Sequence, residues 1–338
     1  MKHAVKLVLL GVLGLYTAGC GTFVAHSIAC APNRYPSWFA SEAPVMLEFN
    51  PKLLTNFTAH FVDIGPPPAR LCYRIIEPAD YQVQVTSSNW LEDDQRKFLF
   101  TFKAELPAVS TNQFSPSSTA RGTVILLHGY GLAQFSMLPW ALCLAQNGWR
   151  CVLVDLRGHG KSTGQRIYFG CRETNDLSEL LDELRRDNQC KGAVEVVGES
   201  YGAALALRWK TMDSRVHAVV AIAPYASLSN SVMNIRNDYA NWMPRFVLKS
   251  GLKQLPCLLQ VSPGELDTTT VLKRKPVEAF FVAGGEDEIA PAKDVQALVS
   301  LASPHSKLMV VPNATHEALT YYFSDLLPPV LSWLAAEK

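Results

Sequence analysis

The sequence predicts an α/β fold: a mostly parallel central sheet flanked by helices, with a helical cap insertion late in the chain. Three observations predict it. From Thr123 onward, short and almost continuous apolar runs alternate with helix-forming stretches, the pattern of strands buried on both faces. One of those runs ends in Gly198-Glu199-Ser200-Tyr201-Gly202, and helix formers follow at once, which is a strand–turn–helix setting for the G-x-S-x-G pattern. Residues 225–275 break the alternation with about fifty residues where one helix would suffice, too long and too apolar for a simple loop.

The totals agree with one large domain. The chain has 338 residues, 48% of them hydrophobic, enough for a sizeable buried core. Its formal net charge is +1 and 18% of its residues are charged. A nucleic-acid surface, which needs a basic footprint, is excluded.

Residues 1–20 stand apart from that domain. Lys2 and Lys6 supply a basic start, Leu7 to Tyr16 a short apolar stretch, and Thr17-Ala18-Gly19-Cys20 a run of small residues before a cysteine. The run resembles a bacterial lipoprotein cleavage box, in which Cys20 becomes the lipidated N-terminus, although Thr17 stands where leucine is usual. A plain secretory signal and an uncleaved membrane anchor reaching Ala25 are the alternatives. All three predict a protein outside the cytosol or on a membrane. The eight cysteines then have access to disulfide chemistry. Cys171 and Cys190 cannot pair if the intervening helix is continuous. At about 1.5 Å rise per residue they stand some 20 Å apart, against a limit of roughly 7 Å. Cys143 and Cys151 fall in apolar runs, as small buried hydrophobes do. No metal-site spacing of His and Cys is present.

The remaining elements follow in order. Residues 21–69 are Pro-rich, include Gly65-Pro66-Pro67-Pro68, and read as an N-terminal extension or linker. Strands are expected at Leu71–Ile76, Gln82–Thr86 and Lys97–Lys103, then a Ser/Thr/Pro loop from Ser110 to Thr119. The alternation then runs: strand Thr123–Leu127, helix Leu138–Gln146, strand Cys151–Asp155, helix Glu173–Arg186, strand Val194–Val197, helix Ala203–Trp209 and strand Val216–Ala223. After the cap come strand Val277–Ala283, helix Ala292–Leu301, strand Leu308–Val311 and helix Leu319–Ala335. The α/β core is thus assigned to 70–224 and 276–338, and the cap to 225–275. In the cap, Trp242, Met243 and Phe246 either form its own core, the favoured reading, or line a pocket.

Ser200 is the candidate nucleophile. Glycines at 198 and 202 let the turn bend tightly between strand and helix. A serine hydroxyl needs a base, and the base an orienting carboxylate. In an open parallel sheet, reactive groups gather at the carboxyl ends of strands. Asp287 follows a strand through Gly284-Gly285, and His316 follows the next strand through Pro312-Asn313-Ala314-Thr315. His305 and His217 belong to the opposite edge. The order Ser200, Asp287, His316 is that of a nucleophile–acid–base triad. An oxyanion hole would use the backbone N–H of Tyr201 and that of Tyr130, in the loop His128-Gly129-Tyr130-Gly131. His128 is expected to hold that loop rather than to react.

With these motifs assembled, and with Asp155-Leu156-Arg157-Gly158-His159-Gly160-Lys161-Ser162 and Gly284-Gly285-Glu286-Asp287 beside them, the chain resembles the α/β-hydrolase superfamily over about 120–337. Within it, the branch of monoacylglycerol lipase, bacterial lysophospholipases and the serine aminopeptidase S33 group is the most similar. The resemblance implies an α/β-hydrolase fold and cleavage of an acyl-lipid or small ester through an acyl-enzyme on Ser200. It implies scaffold roles for the run around His159, a cap that shapes the acyl site, and no cofactor or metal. An acyltransferase or serine peptidase with the same triad, or a non-catalytic binding protein of this fold, is the alternative.

Overall fold

The structure is a computed structural model that describes residues 21–34, 45–92, 95–107, 120–190, 194–239 and 241–336. The expected leader 1–20, Cys20 included, and the loop 110–119 lie outside the described residues.

The strands are β1 (Val45–Glu48), β2 (His60–Ile64), β3 (Ala69–Ile76), β4 (Val83–Glu92), β5 (Gln95–Ala104), β6 (Thr123–Leu127), β7 (Arg150–Asp155), β8 (Val194–Glu199), β9 (Val216–Ile222), β10 (Phe280–Gly284) and β11 (Lys307–Val311). Eight of them form the central sheet in the order β11-β10-β9-β8-β6-β7-β3-β2. From β11 to β7 every pairing is parallel, while β3 runs antiparallel to both β7 and β2. The helices are α1 (Leu138–Gln146), α2 (Glu173–Arg186), α3 (Tyr201–Met212), α4 (Leu228–Tyr239), α5 (Arg245–Leu259), α6 (Thr268–Arg274), α7 (Ala292–Val299), the single turn α8 (His316–Leu319) and α9 (Phe323–Ala336).

Strand periodicity splits the core into two layers. Successive side chains point to opposite faces, so Ile125 and Leu127 join the layer under α2, α3 and α7, whereas Val124 and Leu126 join the layer under α1 and α9. At the centre of the sheet neither face meets water, and β6, β7 and β8 are buried at every residue. This is why those strands read as continuous apolar runs rather than as an alternation.

The N-terminal half departs from expectation. Residues 60–64, assigned to an extension, are strand β2 of the main sheet, and Gly65-Pro66-Pro67-Pro68 is the turn of the β2–β3 hairpin rather than a linker. Proline in a turn and proline in a linker give the same local signal. The strands expected at 82–86 and 97–103 are longer, and with β1 they form a separate three-stranded sheet of order β1-β5-β4. Phe98, Phe100 and Phe102 alternate on the inner face of β5. Phe98 stacks on Tyr322 at 4.8 Å, and Phe100 meets Tyr321 at 4.8 Å and Phe323 at 5.5 Å. Upstream, residues 21–29 are helical and lie on α5, where Thr22 donates to Gln254 at 2.6 Å.

Residues 225–275 contain α4, α5, α6 and a 3-10 turn at Pro263–Leu266. Leu248, Leu252, Leu255, Leu259, Leu266 and Leu272 are buried in the same cluster as the sheet. Trp242 and Phe246 correct the favoured reading of the cap. They are 75% and 63% exposed, so they are not its core; of the three residues only Met243 packs inward. The described cysteines are all free thiols, with Cys72, Cys143 and Cys151 buried.

Candidate active site

The carboxyl ends of β6, β8, β10 and β11 bring the loops together. Ser200 follows β8 directly and opens α3, with φ +49° and ψ −111°. That conformation is unfavourable for a residue with a Cβ, and local contacts enforce it. The Ser200 N–H donates to the Ile222 carbonyl at 2.7 Å. A Cβ on Gly198 would meet the carbonyl of Gly202, and one on Gly202 would meet the carbonyl of Leu127. The two glycines therefore permit the strand, the turn and the helix to touch backbone to backbone.

The hydroxyl of Ser200 lies 2.8 Å from Nε2 of His316. Nδ1 of that ring lies 2.8 Å from Oδ2 of Asp287. The other carboxylate oxygen, Oδ1, accepts the N–H groups of Ile289 at 2.9 Å and Ala290 at 2.7 Å. Asp287 is thus buried, satisfied and aimed. Gly284 and Gly285 allow its loop to press on the histidine loop, since a Cβ on either would meet the carbonyl of Ala314 or of Pro312. Burial disfavours the charged imidazolium of His316. The charge and hydrogen bond of Asp287, with Glu317 and Glu199 behind it, outweigh that and raise the proton affinity above the ordinary histidine value.

Tyr130 and Tyr201 flank this line. Their rings meet edge to face at 6.4 Å. Tyr201 is buried as the first residue of α3, while Tyr130 sits in the turn after β6 and is partly exposed. His128 does what its position suggests. Its Nε2 accepts the Leu156 N–H at 3.1 Å and its Nδ1 faces the Gly129 carbonyl at 2.8 Å, so it ties the end of β6 to the loop after β7. Burial holds its pKa down at about 4. His159 is also buried, at about 3 for the same first reason, and stacks on Tyr201 at 5.8 Å. His305 and His217 stay exposed, before β11 and at the start of β9.

Two contacts here escaped the sequence reading. Arg96 on β5 makes a two-pronged ion pair with Glu286, at 2.6 Å through each nitrogen, and so holds the Asp287 loop from outside. Glu199 accepts the Gly129 N–H and the Ser136 hydroxyl, each at 3.1 Å. The signal for Glu199 was present: an ionisable residue sits at the end of a buried strand, immediately before Ser200. For Arg96 there was none, because its partner is 190 residues away.

Comparison with known proteins agrees with this architecture. Residues 118–274 match the model of the family described as serine aminopeptidase, S33. The "Uncharacterized protein YqkD" of Bacillus subtilis is 23% identical over 206 residues, which are 59% of this chain and 66% of that protein. Epoxide hydrolase B of Mycobacterium tuberculosis is 30% identical over 116 residues, 33% of this chain and 32% of that one. The chain therefore spans less than two thirds of the lengths of these relatives. Among solved structures, an esterase of Pyrococcus furiosus superposes with TM-score 0.59 at 20% identity, covering 86% of this chain and 94% of that one. Acetyl xylan esterase 1 of Thermoanaerobacterium gives 0.54 at 18% identity, covering 82% and 83%. With a parallel sheet and an elbow after β8, the chain has the α/β-hydrolase fold, and its residues 118–274 are similar to the serine aminopeptidase S33 family.

Proposed function

We propose that the protein is a serine hydrolase of carboxylic esters, acting through an acyl-enzyme on Ser200. The observation that carries this reading is the unbroken line from the Ser200 hydroxyl through His316 to Asp287, both links at 2.8 Å. In the first step Ser200 Oγ bonds to the ester carbonyl carbon as its proton passes to His316 Nε2. Asp287 holds the ring in the tautomer that leaves Nε2 free to accept and stabilises the imidazolium. The N–H groups of Tyr130 and Tyr201 receive the carbonyl oxygen as it becomes an anion, each donor contributing roughly 3–4 kcal/mol to the transition state. The imidazolium then protonates the departing alcohol. Water, deprotonated by the same ring, releases the acid. The esterases among the superposed structures support this chemistry.

An acyl-lipid substrate suits the same reading. Phe23, beside the predicted N-terminal anchor, and Trp242 and Phe246 in the cap are large apolar side chains left exposed, as proteins that meet a lipid surface tend to keep them. The envelope location rests on residues 1–20, with Cys20 as the lipidated residue. Among the described residues, no helix is long and apolar enough to cross a membrane.

The test is hydrolysis of p-nitrophenyl esters of graded chain length, with fluorophosphonate labelling. Wild type is expected to turn over and to be labelled at Ser200, and Ser200→Ala to lose both. Turnover by Ser200→Ala at the wild-type rate would overturn the reading. A Cys20→Ala chain should leave the membrane fraction, and retention there would remove the lipoprotein assignment.

A further inference from the structure

Glu199 places an ionisable group where the strand needs none. It ends β8, is 5% exposed, and immediately precedes the nucleophile. Its Oε1 receives two donors from two sides of one loop. The Gly129 N–H comes from the residue before Tyr130, and the Ser136 O–H from the 3-10 turn Gln134–Met137 that closes the loop. Between them Gln134 ties the far end of the loop to Asp155, its backbone N–H and side-chain amide each donating at 2.8 Å, while residues 130–132 are more open. Tyr130 and Leu132 are more than 40% exposed, and Gly131, at φ +74°, has nothing within 4 Å of where a Cβ would be. Leu132 makes one turn bond back to Gly129. The carboxylate is therefore a brace between the Ser200 turn and the loop that carries Tyr130.

We propose that Glu199 is a positioning residue, clamping the 129–136 loop to the Ser200 turn and so fixing where the Tyr130 N–H meets the substrate oxygen. The proposal rests on the ester-hydrolase reading of the site. An oxyanion donor acts only at hydrogen-bond distance from the developing charge, and misplacement by about 1 Å can cost two orders of magnitude in rate. Without its acceptor, the buried Gly129 N–H would be left unsatisfied, and the loop would move to find one.

The carboxylate also faces the base. His316 is surrounded by Asp287 from the loop after β10, Glu317 on its own turn, and Glu199 from β8, with the Ser200 hydroxyl on its Nε2. Burial pushes the Glu199 carboxyl up, and the Gly129 N–H, the Thr320 and Ser136 side chains and the nearby His316 pull it back. When ionised, Glu199 favours the imidazolium, so removing its charge lowers the proton affinity of His316.

The experiment compares the full-length wild type with Glu199→Ala and Glu199→Gln. It follows kcat and KM for a p-nitrophenyl ester, the kcat/KM pH profile, affinity for a trifluoromethyl ketone, and amide exchange over 129–136. Glu199→Ala should lower kcat about 100-fold with KM changed less than about threefold. It should weaken the ketone, whose adduct on Ser200 carries the oxyanion, by a similar factor, and speed exchange at Gly129. Glu199→Gln keeps an acceptor oxygen and should recover at least about tenfold of that loss, with its acid limb shifted to lower pH. Unchanged kcat and unchanged exchange in Glu199→Ala would overturn the proposal. So would equal losses in both variants with a raised KM and no shift of the acid limb. If Glu199→Ala does not fold, Ser136→Ala, which removes one of the two donors, decides instead: faster exchange at Gly129 with a lower kcat is expected, and no change in either overturns the proposal. If wild type shows neither turnover nor Ser200 labelling, the ester-hydrolase reading fails instead, and the exchange rates still decide whether the clamp exists.

Discussion

Ser200 sits at φ +49° because three backbone contacts leave it nowhere else. The same local density makes the neighbouring histidines sensitive to acid. His128 and His159 are neutral in the fold, at about 4 and about 3, against roughly 6.5 unfolded. Their folded values are depressed, so the unfolded state binds more protons as pH falls below about 6.5. Stability that is complete above that pH is then lost at up to about 1.4 kcal/mol per pH unit for each ring. His316 has the opposite sign: its raised value makes protonation below that value favour the fold, a partial offset. We expect chemical denaturation at pH 5 to give a stability a few kcal/mol below that at pH 7; equal values would mean that these rings are not held neutral. Activity follows His316 alone. In the proposed mechanism His316 is the base and must be neutral, so kcat/KM should fall as pH drops through a value above the ordinary 6.5. An acid limb below 6.5 would contradict the influence of Asp287. The convergence of Ser200, Asp287 and His316 was legible in the sequence because each follows a strand end through glycines or a short turn. The part played by Glu199 was not, because the donors it serves belong to another loop.

The elements differ in how far sequence exposed them. Strands β6 to β11 and helices α1, α2 and α7 lie within a few residues of expectation, and for β6, β7, β8 and β10 burial on both faces leaves a plain apolar signature. Helix α3 begins two residues earlier than expected, because Tyr201 and Gly202 already form its first turn under Ser200. In the cap, hydrophobicity misled: Trp242 and Phe246 sit on the surface, because leucines of α5 and α6 fill the space against the sheet. Trp242→Ala should accordingly leave the thermal midpoint within about a degree. A change in preference for ester chain length would identify it with the substrate path, and an unchanged preference would remove it. The β5 strand acts on the site through Arg96. Arg96→Ala should lower kcat a few-fold with little change in stability, as expected when a solvent-accessible ion pair orients a loop rather than holding a core. Steady-state kinetics beside a melting curve separates the two effects.

At the scale of the molecule, the three-stranded sheet is what the sequence did not announce. It covers the segment after His316 with Phe98, Phe100 and Phe102, packed on Tyr321, Tyr322 and Phe323. Phe100→Ala should cost about 3–5 kcal/mol and reduce turnover with it, read as a lower denaturation midpoint and a lower kcat. The described cysteines are all free, so a reductant should leave the melting temperature unchanged; a lowered midpoint would reveal a disulfide. The sequence by itself determined the parallel core and the strand ends that carry Ser200, Asp287 and His316. Those features are written in local patterns: apolar runs, glycines at tight turns, and the spacing between them. Only the tertiary structure decided that β2 belongs to the main sheet, that a second sheet braces the Asp287 and His316 loops, and that Glu199 joins the Ser200 turn to the Tyr130 loop. Each of these is a contact between residues far apart in the chain, and such contacts leave no periodicity in either partner.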